Sequence, residues 1–199
     1  MQLTTRIATA VLAMAGLTGA HAALVPITTN GSWNTFDVAE VIATDGGLGW
    51  IDITTGGALT FSFTVDPGTV GTLTVVDAGF SGDQFSVFSN GVALRETSRA
   101  VNSYPTSIGL DFDAALANAS YSRGVYSLAA GSYVVGGSLL NSAFDETGAR
   151  LNSTVGGLKV EVTSVSAVPL PAAALLLLPG LGVMGFTARR RAVNVVKKD

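Results

Sequence analysis

GALTFSFTV, residues 57–65, alternates strictly: Leu59, Phe61, Phe63 and Val65 fall on one side, and Thr60, Ser62 and Thr64 on the other. A period of two marks a strand with one face in a core and the other toward water. Asp66-Pro67-Gly68 follows as a turn. Residues 69–76 resume as a strand, with Val70, Thr72, Thr74 and Val76 opposite Gly71, Leu73 and Val75. Further on, residues 85–88 and 92–97 flank Ser89-Asn90-Gly91, and Asn-Gly between apolar runs is a strong hairpin signal. Residues 132–140 and 157–165 read as closing strands; in the second, Leu158, Val160 and Val162 alternate with Lys159, Glu161 and Thr163. One interruption, DFDAALANAS at 111–120, is alanine-rich and opens on an aspartate suited to capping, which predicts one or two helical turns near 113–119. Short strands at this spacing predict an all-β domain: a β-sandwich, jelly-roll-like, with one short helix.

Both ends of the chain read as targeting segments. Residues 1–22 have a basic Arg6, an apolar run at 7–17, and Gly19-Ala20-His21-Ala22. Ala20 and Ala22 form the small-x-small pattern of a signal peptide cut before Ala23. A single arginine, not a pair, favours the general secretory route. At the other end, residues 172–188 (AAALLLLPGLGVMGFTA) carry no charge, and Arg189, Arg190 and Arg191 follow. As a helix that run reaches roughly 25 Å, near the hydrocarbon thickness of about 30 Å. The positive-inside rule keeps the arginines cytoplasmic. The organisation is therefore a signal peptide (1–22), a β-sandwich extracellular domain (23–165), a tail with a transmembrane helix (166–191, helix 172–188), and a cytoplasmic end (192–199).

The chain has no cysteine and one histidine, His21, which leaves with the signal peptide. The mature domain therefore excludes Ser-His-Asp and Cys-His catalysis, and zinc or copper held by their usual ligands. Residues 23–165 hold thirteen acidic and five basic residues, a net charge of −8. That balance excludes nucleic acid, whose binders show a basic footprint, and docking on an anionic membrane surface. It leaves a divalent cation as a plausible companion.

Val168-Pro169-Leu170-Pro171-Ala172, then the apolar run, then Arg189-Arg190-Arg191, resembles the PEP-CTERM class of bacterial sorting tails in its VPLPA-CTERM variant. Leu170 stands where the commoner class has glutamate, and residues 192–199 extend past the arginine block. The resemblance implies that an exosortase, a membrane-embedded protease of Gram-negative bacteria that make exopolysaccharide, recognises the tail. It implies an inner-membrane precursor cut near residues 169–171, and a mature domain sent to the cell surface or the exopolysaccharide matrix. Prolines at 169 and 171 suit this, since they keep the segment extended. Residues 77–98 and Gly131-Ser132-Tyr133 also resemble segments of proteins with this tail, and name no activity.

Few residues offer chemistry. Asp77 and Asp83 bracket a glycine-containing loop. With loop carbonyls they are oxygen donors of the kind calcium takes, although no EF-hand or nonapeptide calcium pattern is present; plain turn aspartates are the other reading. Asp111 and Asp113 are spaced as paired carboxylates for glycoside hydrolysis, and capping is the simpler explanation. Among Trp33, Trp50, Tyr104, Tyr121 and Tyr126, core packing is the default. Trp50, behind Gly46-Gly47-Leu48-Gly49, is the candidate for stacking on a sugar ring. The expected function is a secreted, exosortase-sorted surface or matrix protein without enzymatic activity. The alternative is a calcium-assisted carbohydrate-binding module. Calcium is the one cofactor considered, and the partners are an exosortase and exopolysaccharide, not nucleic acid.

Overall fold

The computed structural model describes residues 22–165. Apart from Ala22, the expected signal peptide lies outside the described residues, as do the sorting motif, the apolar run and the arginine block. Among the described residues no helix is long and apolar enough to cross a membrane.

The chain forms β1 (Ala23–Pro26), β2 (Asn34–Ala39), β3 (Leu59–Val65), β4 (Thr69–Ala78), β5 (Gln84–Ser89), β6 (Val92–Ala93), α1 (Phe112–Ala117), β7 (Arg123–Leu128), β8 (Gly131–Asn141) and β9 (Ser153–Ser164). They make two sheets, one in the order β1-β3-β8-β5-β6 and the other β2-β9-β4-β7. β1 runs parallel to β3, and the other pairs are antiparallel. β3 behaves as its alternation predicts, with Leu59, Phe61, Phe63 and Val65 buried. The Asp66-Pro67-Gly68 turn does not make a hairpin, because β3 and β4 belong to different sheets. The Asn90-Gly91 turn does join β5 and β6, and both residues take the positive φ that such a turn requires (49° and 76°).

The expected strand at 92–97 is two residues long. The chain then leaves the sheet edge and bridges the two sheets. Leu94 N–H donates to Val87 O (2.8 Å) and Thr97 N–H to Phe85 O (3.0 Å) on the first sheet; Ser98 N–H donates to Arg123 O (2.8 Å) on the second. The Thr97 hydroxyl, buried between them, accepts from Phe85 N–H and donates to Ser122 Oγ. α1 falls one residue earlier than expected, with Asp111 as its cap.

The main core lies between the sheets and is built from Phe36, Trp50, Phe61, Phe63, Leu73, Val75, Phe85, Val135 and Leu158 among others. A second cluster, Val76, Ala78, Phe112, Ala115 and Tyr121, lies where α1 packs on β4. β4 is thus covered on both faces toward its end, and all of Leu73–Ala78 is buried. Gly156 and Gly157 on β9 serve these two faces. A Cβ at 156 would overlap the Phe36 ring, and one at 157 would come within 2.6 Å of Phe112. Adjacent strand residues point to opposite faces, so this glycine pair seats one ring of the core and one of the helix.

Candidate functional site

Asp77 continues the alternation of Leu73 and Val75 on β4, so its carboxyl enters the end of the core rather than a surface turn. The chain reverses through Gly79–Gly82 and returns at Asp83, just before β5. Asp83 N–H donates to Asp77 Oδ2 (3.3 Å), Ala143 N–H to Asp83 Oδ1 (2.8 Å), and Thr154 Oγ1 to Asp77 Oδ1 (3.5 Å). Asp77 is 0% exposed and Asp83 1%. Burial, and then the charge of Asp83, pushes the Asp77 carboxyl up to about 9. Burial pushes Asp83 up to about 6. Burial thus favours the neutral form of both carboxyls, most strongly at Asp77. The Tyr121 hydroxyl is also raised, by burial and then by Asp77.

The structure thus brings Asp77 and Asp83 together, as the sequence reading requires, but closes them from solvent. Among the described residues no third acidic, histidine or cysteine side chain joins them. Two carboxylates alone fall short of the roughly six to eight oxygens that calcium takes.

Trp50 is a correction. It is 2% exposed and stacked on Phe36 (ring centroids 3.8 Å apart), with Phe61 and Phe85 edge-on. The glycine-rich stretch before it is no free loop tip: Leu139 N–H donates to Leu48 O (2.8 Å) and Trp50 N–H to Gly137 O (2.9 Å), which ties it along β8. A large apolar ring is most stable out of water, and here the core takes it, so no sugar can stack on it. The other aromatics are also engaged. Trp33 Nε1 donates to Asp113 Oδ1 (3.0 Å), and Lys159 Nζ sits 4.9 Å above its ring. Tyr104 packs on Phe80. Tyr121 and Tyr126 are buried and donate to Gly79 O and Arg95 O.

Asp111 and Asp113 are each held by a different structural partner. Asp111 Oδ1 accepts from Ala114 N–H (3.0 Å) at the start of α1, while Asp113 is held by Trp33. Asp111→Ala is expected to destabilise the domain by about 1 kcal/mol, read as a lowered melting temperature. Loss of a hydrolase activity at unchanged melting temperature would restore the catalytic reading.

An open cleft of about 520 Å³ lies between the start of β5, the 94–103 bridge and the end of β8; Gln84, Glu96, Arg99, Asn102, Asn141 and Phe144 line it. Its amides are held in place. Asn141 Nδ2 donates to Gln84 Oε1 (2.7 Å), and Gln84 Nε2 to Thr97 O (2.8 Å). Asn102 accepts from Phe144 N–H (2.8 Å) and donates to Phe144 O (3.0 Å). A second cleft of about 250 Å³ shares Glu96 and adds Arg95, Arg123 and Tyr126. No sequence motif marks the larger cleft, since its residues come from three separated stretches, 82–84, 96–102 and 140–144.

No family model matches the chain, and no curated protein matches it. Among solved structures the chain is similar to the pre-peptidase C-terminal domain of a collagenase from Bacillus anthracis. The identity is 8% over 72% of this chain and 100% of that one, with a TM-score of 0.39. It is also similar to PliG of Aeromonas hydrophila, a periplasmic inhibitor of g-type lysozyme, at 11% identity over 70% of this chain and 96% of that one, with a TM-score of 0.34.

Proposed function

We propose that the chain is an exported, non-catalytic surface or exopolysaccharide-matrix protein whose β domain is delivered by a signal peptide and released by an exosortase acting on the tail. The coincidence of boundaries carries this reading. β1 opens at Ala23, the residue at which the signal peptide is expected to be cut, and Ala23 N–H donates to Ala58 O (2.6 Å). A free amine there still has a proton to donate, so cleavage leaves that bond in place. β9 closes at Ser164, ahead of the sorting motif at Val168-Pro169-Leu170-Pro171-Ala172. Neither cut removes a residue of a described strand.

The jelly-roll reading of the domain rests on pairing order. The orders β2-β9-β4-β7 and β3-β8-β5-β6 are those of interleaved Greek keys, with β1 added beside β3. The non-catalytic reading draws on the carboxylates: Asp77 and Asp83 are shut from substrate, and Asp111 caps a helix.

Deleting residues 168–171 is expected to leave the protein in the inner-membrane fraction. The unaltered chain is released with Ala23 at its N-terminus and its end near residues 169–171, which N-terminal sequencing and intact mass would read. Release of the deletion variant at the normal level would sink the proposal.

A further inference from the structure

The domain between residues 23 and 165 is strongly acidic, and its five basic residues are Arg95, Arg99, Arg123, Arg150 and Lys159. Four of the five gather at the two adjoining clefts. Arg95 and Arg123 line the smaller and Arg99 the larger, while the Arg150 guanidinium lies 5.7 Å from the centre of the Phe144 ring that lines the larger. The fold, not the sequence, collects them. The 94–103 bridge carries Arg95 and Arg99; Ser98 ties Arg123 to it through Ser98 N–H to Arg123 O and Arg123 N–H to Ser98 Oγ (3.1 Å). Asn102 clamps Phe144, which brings Arg150 alongside.

None of the four is neutralised by a carboxylate. Among the described residues the ion pair within reach is Lys159–Glu161 (3.5 Å), on β9 of the other sheet. Arg123 donates to Leu116 O, a backbone carbonyl. Glu96, at the junction of the clefts, is exposed. A basic strip on a domain of net charge −8 concentrates a local positive potential where the rest of the surface repels anions.

We propose that these adjoining clefts bind an acidic oligosaccharide, a hydroxyl-rich chain carrying carboxylates. The guanidinium groups pair with carboxylates in a planar fork. Glu96 and Asn141, both exposed in the larger cleft, offer acceptor oxygens to a ligand, and hydroxyls can donate to these while still accepting. A ligand with carboxylates alone would be repelled at Glu96, and one with hydroxyls alone would leave the arginines unused. The exposed part of Phe144 offers an apolar surface at the rim. This inference concerns the domain alone and does not depend on how the tail is processed.

The test is calorimetric titration of the full chain, in mild detergent, with trigalacturonate, maltotriose and hexaglutamate. Trigalacturonate binds, and binding weakens as sodium chloride rises from 50 to 500 mM, about the range over which exposed charges become screened. Arg99→Gln and Arg150→Gln each weaken it by about tenfold or more, as expected for loss of a charge-assisted hydrogen bond, with melting temperatures checked to show that both fold. Lys159→Gln removes the same charge on the other sheet and leaves binding unchanged. The proposal is overturned if trigalacturonate does not bind, or if maltotriose binds equally well. Equal binding of hexaglutamate overturns it in favour of an acidic peptide. A loss in Lys159→Gln equal to that in Arg99→Gln would overturn it too, since the effect would then be one of net charge.

Discussion

Asp77→Asn raises the melting temperature of the domain at pH 8 by about 5–10 °C. In the folded chain the Asp77 carboxyl is pushed up to about 9, from an ordinary value of 3.8. Between those values the folded state keeps a proton that the unfolded state has released, so raising the pH favours unfolding. The stabilisation is complete below about pH 4 and is lost as pH rises toward 9. Asp83, raised to about 6, acts in the same direction over the lower part of that range. By pH 7 the loss through Asp77 is on the order of a few kcal/mol. Asparagine keeps the shape of the protonated acid and has no proton to lose, so the variant should also show a flatter profile of melting temperature against pH.

Calcium sharpens the result. A bound cation would hold both carboxylates ionised and reverse the outcome. Millimolar calcium would then stabilise the unaltered chain at pH 8, and Asp77→Asn would lose that gain. Melting curves from pH 4 to 9, with calcium and with chelator, separate the two. A stability rising with pH, or a gain with calcium absent from the variant, would place a metal where burial otherwise favours the protonated acid.

Trp50→Ala is expected to destabilise the domain by about 3–5 kcal/mol and lower the melting temperature by roughly 10 °C or more. The indole is 2% exposed, lies flat on Phe36 and meets the edges of Phe61 and Phe85. A Cβ on Gly137 would overlap it, so the backbone of β8 closes directly against the ring. Removing the ring leaves a cavity bordered by both sheets, and close-packed surroundings relax only partly into it. Trp50→Phe should lose less, because the indole Nε1 has no hydrogen-bond partner to forfeit. A Trp50→Ala chain that melts normally but loses saccharide binding would return the ring to the surface.

Local signals carried much of the fold. The alternation of 57–65 places β3, the Asn90-Gly91 pair places the β5–β6 hairpin, and the alanine run behind Asp111 places α1. β1 and β2 were not legible. β1 is four exposed residues, recognised only through pairing with β3, and β2 reads as a mixture of polar and apolar residues until β9 lies beside it. β7 alternates with Gly124, Tyr126 and Leu128 inward, yet it directly follows the helix and its first inward position is a glycine. The 92–97 segment has the composition of a strand and becomes a bridge, because Thr97 and Ser98 find partners on different sheets.

The amino-acid sequence by itself determined the all-β class, the lack of histidine and cysteine chemistry in residues 23–165, and the expectation of two targeting ends. Those follow from composition and from patterns within a few neighbouring residues, where each residue carries its own propensity and charge. Only the tertiary structure decided that Trp50 is core, that Asp77 and Asp83 meet in a buried site, and that four arginines gather beside two adjoining clefts. Burial, and the electrostatics that follow from it, depend on which strands become neighbours. In this two-sheet fold nearly all strand partners are far apart along the chain, so no local pattern encodes which side chains meet.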